Sequence, residues 1–327
     1  MRAVQFSSFG GPEVLQIVEL DEPHAGPGQV RIAVRAVGVN PIDWKVRSGT
    51  MGGDLPRRTG IEAAGVVDEL GQGVRGVELG DAVFGPTTGA AAEFALLANW
   101  AHSPRTLDFA GAAALPVASE TAARMLDLVG LAAGGGDPGG GGDRGGGGDP
   151  GGGGDPSGGG DPGIVVVNGA SGSVGLAAVQ LAQERGAHVI GTASQRNHEL
   201  LRSLGAEPTT YGEGLAERVL ALAPGGVDRA LDTAGGGQLP ALVQLTGSAD
   251  RVVTIVDFQG AKEVGAKATG GPGEPRAWYI LPEVANLIDE GRFMLPVART
   301  FPLEQIADAH RLSESGHPGG KLVLVLG

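Results

Sequence analysis

Ala170, Gly172 and Gly175 stand at A-x-G-x-x-G spacing, between a β-branched run, IVVVN (164–168), and a segment with helical periodicity, LAAVQLAQERG (176–186). A glycine at 172 lets backbone approach a bulky anion with no Cβ in the way. A glycine at 175 lets the following helix pack closely on the strand. The helix N-terminus then offers unpaired N–H groups and positive potential to a diphosphate. Ala170 replaces the usual first glycine; it is small but asks for a more ordinary φ. Ser171, Ser173 and Val174 complete the turn, and the two hydroxyls read as cofactor ligands, not nucleophiles. A glycine triplet is a weak signal in a chain with 61 glycines, so the flanking strand and helix carry the argument. Residues 170–175 are candidate ligands of a dinucleotide; the competing reading is a Gly-rich turn in some other α/β protein.

The second strand, HVIGTAS, decides which dinucleotide. It ends at Ser194 and is followed by Gln195, Arg196, Asn197 and His198. An NAD site usually carries Asp or Glu there, to accept the ribose hydroxyl. No carboxylate stands at these positions. Ser194 offers a hydroxyl, Arg196 charge-assisted bonds to a 2′-phosphate, and Tyr211 a further hydroxyl at the end of the next expected strand. The pattern favours NADPH; an ordinary solvated loop cation is the alternative for Arg196.

These residues need a scaffold. Strands and helices alternate from 164 to about 270: IVVVN, HVIGTAS, VDRALDTAG and RVVTIVD with helical segments between them, and AKATG as a last weak strand. Alternation of this kind predicts a doubly wound parallel sheet. Residues 1–100 read instead as short strands between Gly-rich turns, including VRIAVRAV, IEAAGVVDEL and GDAVFG. The expected division is 1–122, 123–270 and 271–327. Helices are expected at about 276–290 and 303–315, then a closing strand, KLVLVL.

Residues 134–163 break the pattern. They hold 19 Gly, 5 Asp, 4 Pro, Arg144 and Ser157, with Asp at 137, 143, 149, 155 and 161. Nothing apolar offsets the entropy of ordering this stretch, so it reads as a flexible insert. A calcium-binding glycine–aspartate repeat would use nine-residue units with an apolar strand position, which is missing.

Lys+Arg 24 against Asp+Glu 37 gives a net charge of −13, and no basic cluster stands out. Nucleic-acid and anionic-membrane partners are disfavoured. The chain has no cysteine, which excludes disulfides, thiolate zinc sites and a cysteine nucleophile. The longest uncharged run, Gly163–Gln183, is interrupted by Asn168, Ser171, Ser173 and Gln180 and does not read as a membrane span. The N-terminus lacks an apolar signal core, and the expected location is cytoplasmic.

With these motifs in place, the chain resembles a zinc-independent medium-chain dehydrogenase/reductase of the quinone oxidoreductase type. The likeness rests on AVGVNPIDWKVRSG (36–49), GIEAAGVV (60–67), GDAVFG (80–85), NGASGSVGLAAVQLA (168–182), GTASQRN (191–197) and GHPGGKLVLVL (316–326). It implies a GroES-like β-rich domain completed by the C-terminal tail, a Rossmann domain, an active site in the cleft between them, and a homodimer. Zinc-containing relatives place Cys near Asn40 and His at Ile61, just before Glu62. Both ligands are missing, and His24, His102, His188, His198, His310 and His317 show no ligand spacing, so no metal is expected. Glu62 reads as a structural carboxylate.

The resemblance further implies that Asn40 and Asp43, in the loop after VRIAVRAV, line the nicotinamide cleft as candidate catalytic residues. Asn40 would hydrogen-bond the acceptor carbonyl or the nicotinamide; bracing the loop is the alternative for Asp43. Thr121, at a helix start, would approach the cofactor or simply cap the helix. Trp44 would wall the cleft or pack as core. Lys321 would approach the adenosine phosphate, although Gly320 stands where some relatives carry Arg. Without a Lewis acid, hydride delivery to a quinone or an α,β-unsaturated carbonyl is favoured over alcohol oxidation. An enoyl-thioester reductase and a non-catalytic NADPH-binding, crystallin-like protein are the rival readings.

Overall fold

The computed structural model describes residues 1–132, 162–271, 273–316 and 319–327. The chain divides into two units, one formed by Met1–Thr121 with Arg276–Gly327, the other by Ala122–Pro275. The Gly/Asp/Pro insert and its flexible-loop reading lie outside the described residues, apart from Pro162 and Gly163 at its end.

The first unit begins with β1 (Arg2–Phe6), β2 (Gln16–Glu19), β3 (Val30–Val39), α1 (Pro41–Arg47), β4 (Arg57–Arg58), β5 (Glu62–Leu70), β6 (Ala82–Pro86), β7 (Phe94–Leu97), β8 (Ala101–His102) and α2 (Phe109–Ala113), and α3 (Pro116–Leu128) spans the boundary, its residues from Ala122 onward belonging to the second unit. β3 shows why alternation makes a strand here. Val30, Ile32 and Val34 enter the core, while Arg31 points to the other face and grips Asp68 through two 3.0 Å bonds. Two elements differ from the sequence reading. The segment after β3 is a helix, not a loop, so Asp43 sits in the first turn of α1. Thr121 is six residues into α3, which opens at Pro116, so it does not cap that helix.

The second unit continues with β9 (Ile164–Asn168), α4 (Ser173–Glu184), β10 (His188–Thr192), α5 (His198–Ser203), β11 (Glu207–Thr209), α6 (Leu215–Leu222), β12 (Arg229–Asp232), α7 (Leu239–Thr246), β13 (Val252–Thr254), α8 (Phe258–Val264) and β14 (Lys267–Ala268). Its strands are parallel, in the order β11-β10-β9-β12-β13-β14. Val165, Val166 and Val167 are fully buried, as a strand covered on both faces requires. The chain runs outward in opposite directions from β9, to β10 on one side and to β12 on the other. That reversal opens the crevice in which such sheets bind ligands, beyond the carboxyl ends of their strands. The weak AKATG strand survives as the two-residue edge β14.

The chain returns to the first unit through α9 (Ile280–Asp289), β15 (Val297–Pro302), α10 (Ile306–Glu314) and β16 (Lys321–Val325). β16 pairs antiparallel with β3, Leu322 opposite Val39, in a seven-stranded sheet. The tail thereby brings Lys321 beside the start of α1, 281 residues from Asn40. β15, which the sequence reading missed, alternates weakly and exposes much of its length.

Candidate functional site

The turn between β9 and α4 is made of backbone. Gly169 takes φ +82, and a Cβ there would fall 2.5 Å from the Ala234 methyl. Gly172 caps α4, and a Cβ on it would meet only the Gly169 carbonyl, at 3.5 Å, leaving open space for a ligand. At Gly175 a Cβ would fall 2.2 Å from the same carbonyl, so the helix can approach the turn only without a side chain. Ser171, Ser173 and Val174 are half-buried and Gly172 is exposed. Ala170 behaves differently from its neighbours. Its methyl is fully buried and its N–H donates to the Thr192 carbonyl at 2.9 Å, so neither is offered to a cofactor. The left-handed residue of this turn is Gly169, one position before the motif as read from sequence. The Asn-Gly pair at 168–169 was the available signal.

β10 and β11 end side by side, Thr192 paired with Thr209. Half-buried Ser194, exposed Arg196 and exposed Tyr211 follow those two ends directly. The structure therefore brings to neighbouring strand ends three residues that the sequence connected only by their order.

The other unit holds a buried charged cluster. Asn40, Asp43, Glu62 and Lys321 expose 6%, 5%, 0% and 3% of their surface. The Lys321 ammonium lies 2.6 Å from Glu62 Oε1 and donates to Asn40 Oδ1 at 2.6 Å. Asn40 Nδ2 donates to Glu62 Oε1 at 2.7 Å, and Glu62 Oε2 accepts the Val117 N–H at 2.7 Å. Asp43 Oδ2 accepts the Asn40 N–H at 2.7 Å, fixing the first turn of α1. Burial pushes the Asp43 carboxyl up to about 7; the Asn40 N–H opposes the shift, and the Glu62 charge adds to it. Asp43 also lines a cavity of about 450 Å³ with Ile42, Val46, Thr59 and Ile61.

Lys321 thus corrects the sequence reading. A 3%-exposed ammonium already held by a carboxylate and an amide has no surface left for an adenosine phosphate. Thr121 is buried in the second turn of α3, its hydroxyl 3.4 Å from Glu120 Oε2. The residues at the family's zinc position do not suit the metal. Ile61 offers no donor atom, and the Lys321 cation occupies the carboxylate of Glu62. Among the described residues no group of three or more His, Cys, Asp or Glu is placed to hold a metal ion.

Residues 26–116 match the family model described as alcohol dehydrogenase GroES-like domain, and residues 204–324 the model described as zinc-binding dehydrogenase. The quinone oxidoreductase of Rattus norvegicus is 31% identical over 350 aligned positions, covering 100% of this chain and 98% of the relative. The solved quinone oxidoreductase of Coxiella burnetii is similar with a TM-score of 0.78 and 29% identity, over 100% of this chain and 99% of that one. A mycobacterial protein solved in complex with NADPH is similar with a TM-score of 0.74 and 25% identity, over 99% of each chain.

Proposed function

The chain belongs to the quinone oxidoreductase type of the medium-chain dehydrogenase/reductase family and is an oxidoreductase, and from that premise we propose that it uses NADPH to reduce a quinone or an α,β-unsaturated carbonyl, without zinc. The observation that carries this reading is the open glycine turn at the N-terminus of α4, beside the end of β10, which is followed by Arg196 and by no carboxylate through His198. Backbone N–H groups at Ser173 and Val174, in the first turn of α4, would receive the diphosphate. Ser194, Arg196 and Tyr211 would take the adenosine end with its 2′-phosphate. The bound cofactor supplies a hydride. Asn40 has one amide N–H beyond the bond to Glu62 and would direct it at an acceptor oxygen, as the catalytic donor. Asp43 positions Asn40 through its N–H. Thr121 would act by bracing Glu120 more than by touching the cofactor.

The same cluster supports the zinc-free reading. Lys321 neutralises Glu62 where relatives described as zinc-binding would use a metal, so no Lewis acid activates an alcohol. Among the described residues no helix is long and apolar enough to cross a membrane.

An NADPH-oxidation assay against a benzoquinone, a naphthoquinone, an enal and crotonyl-thioester tests the reading. Turnover of a quinone or the enal is expected. Turnover of the thioester alone would make the protein an enoyl-thioester reductase. Saturable NADPH binding with every acceptor inert would make it a binder and overturn the proposal.

A further inference from the structure

Four polar side chains at the carboxyl ends of adjacent strands form a row that the nucleotide-site reading leaves unused. Thr192, Asn168, Asp232 and Thr254 end β10, β9, β12 and β13, and each is the registered partner of the next. All four are buried, at 0%, 2%, 0% and 0% exposure. Thr192 Oγ1 accepts the Gly169 N–H at 3.0 Å and donates to Asn168 Oδ1 at 2.7 Å. Asn168 Nδ2 donates to Asp232 Oδ1 at 2.8 Å and to the Gly235 carbonyl at 3.1 Å. The Gly235 N–H donates to Asp232 Oδ1 at 2.8 Å. On the far side Thr254 Oγ1 accepts the Val256 and Asp257 N–H groups, both at 3.2 Å, and donates to Asp232 Oδ2 at 2.8 Å.

The direction of every bond is fixed. Both lone pairs of Thr254 Oγ1 are taken, so its proton must go to Asp232. Both amide ends of Asn168 are taken, so its orientation is set by Thr192 on one side and by Asp232 on the other. Every group that faces Asp232 donates, and among the described residues no Lys or Arg is paired with it. One carboxylate therefore gathers three loops: the turn at 169, the turn at 235 and the segment 256–257. The turn at 235 has no conformational memory of its own, because Gly235, Gly236 and Gly237 all take left-handed φ, +70, +75 and +72, with nothing around a Cβ at the last two. Its N–H and C=O at Gly235 are held by Asp232 and Asn168. Thr233 Oγ1 adds a bond to the Asn168 carbonyl at 2.8 Å, which ties the same turn to the end of β9.

We propose that Asp232 is a positioning residue for the cofactor: through the Thr192–Asn168–Asp232–Thr254 row it sets the phosphate turn and the Gly235 turn in the mutual geometry that receives the dinucleotide. The proposal rests on the NADPH reading and deepens it. A glycine-rich rim costs entropy to order when ligand binds, and a rim already pinned from beneath avoids that cost. Asp232→Asn keeps the shape and reverses one dipole. Its new N–H must face either the Gly235 N–H or a Thr254 oxygen with no free lone pair, so the row breaks at its centre.

The test titrates NADPH by nicotinamide fluorescence against wild type, Asp232→Asn, Thr192→Val and Thr192→Ser, with amide hydrogen exchange read at the two turns. NADPH dissociation constants at least about tenfold weaker are expected for Asp232→Asn and Thr192→Val, a change of about 1.4 kcal/mol. Faster exchange in both turns should accompany it, and Thr192→Ser, which keeps the hydroxyl, should bind within about threefold of wild type. KM for NADPH should rise with little change in kcat at saturation. Should Asp232→Asn fail to fold, the Thr192→Val and Thr192→Ser pair decides alone. Wild-type affinity in both broken-row variants would overturn the positioning role while leaving the NADPH reading intact. No NADPH binding by wild type would overturn both.

Discussion

The glycine turn before α4 and the Asn40–Glu62–Lys321 cluster are built on opposite principles. In the turn, the work is done by missing atoms: glycines at 169 and 175 clear space for backbone, and Gly172 leaves open space for the proposed ligand, within seven residues of chain. In the cluster it is done by two opposite charges and an amide, all almost wholly buried, with Glu62 and Lys321 lying 22 and 281 residues from Asn40. A backbone site tolerates neighbours of many kinds but no added carbon. A buried ionic site tolerates carbon but not a lost partner.

Five perturbations sharpen that contrast. The largest is Lys321→Met. It leaves Glu62 buried without its cation and should cost about 3–5 kcal/mol in urea unfolding, with most of the loss recovered in Glu62→Gln/Lys321→Met. A single variant within about 1 kcal/mol of wild type would show that water, not Lys321, carries the carboxylate. Next comes pH. Burial, helped by the Arg47 charge, pushes His310 down to about 4 from 6.5. The unfolded chain then binds a proton that the folded chain refuses between those values. The histidine's own contribution to stability should fall by up to about 3 kcal/mol as pH drops from 6.5 to 4, and the difference between wild type and His310→Leu should follow that limb. Asp43 has the opposite sign. Its carboxyl, raised to about 7, contributes most below the unfolded value and loses that contribution as pH rises through 7. A melting-temperature profile unaltered by His310→Leu would contradict this account.

In the turn, Gly175 and Gly172 should separate. Gly175→Ala drives a methyl into the Gly169 carbonyl and should cost about 1–3 kcal/mol of stability. Gly172→Ala finds room in the free protein and should leave chemical denaturation unchanged while weakening NADPH about tenfold or more by calorimetry. Equal effects of the two on stability would mean that the space at 172 is not the ligand's. The smallest effect is at the exposed rim. Arg196→Ala should weaken NADPH about tenfold relative to NADH, and equal weakening of both would remove the 2′-phosphate assignment.

Much of the second unit was legible beforehand. IVVVN became β9, the A-x-G-x-x-G spacing became the turn into α4, and HVIGTAS became β10 with its loop, because each depends on contacts between near neighbours in the chain. Local pattern and tertiary context disagree at two places in the first unit. Asn40–Asp43 looked like a loop because Asn-Pro reads as a turn, yet Pro41 also opens a helix well and Asp43 caps it. For Thr121 the alternative of a helix cap fails, because Pro116 has already begun α3.

The amino-acid order by itself determined the glycine turn, the alternating strands and helices, the missing thiols and the missing carboxylate after β10, since these are properties of composition and of short-range spacing. Only the tertiary structure decided that Lys321 belongs to Glu62 and Asn40, and that Thr192, Asn168, Asp232 and Thr254 form one row. The reason is register. β16 reaches β3, and four parallel strands end level with one another, only after sheet pairing has closed loops of tens to hundreds of residues. No periodicity along the chain encodes which side chains then meet.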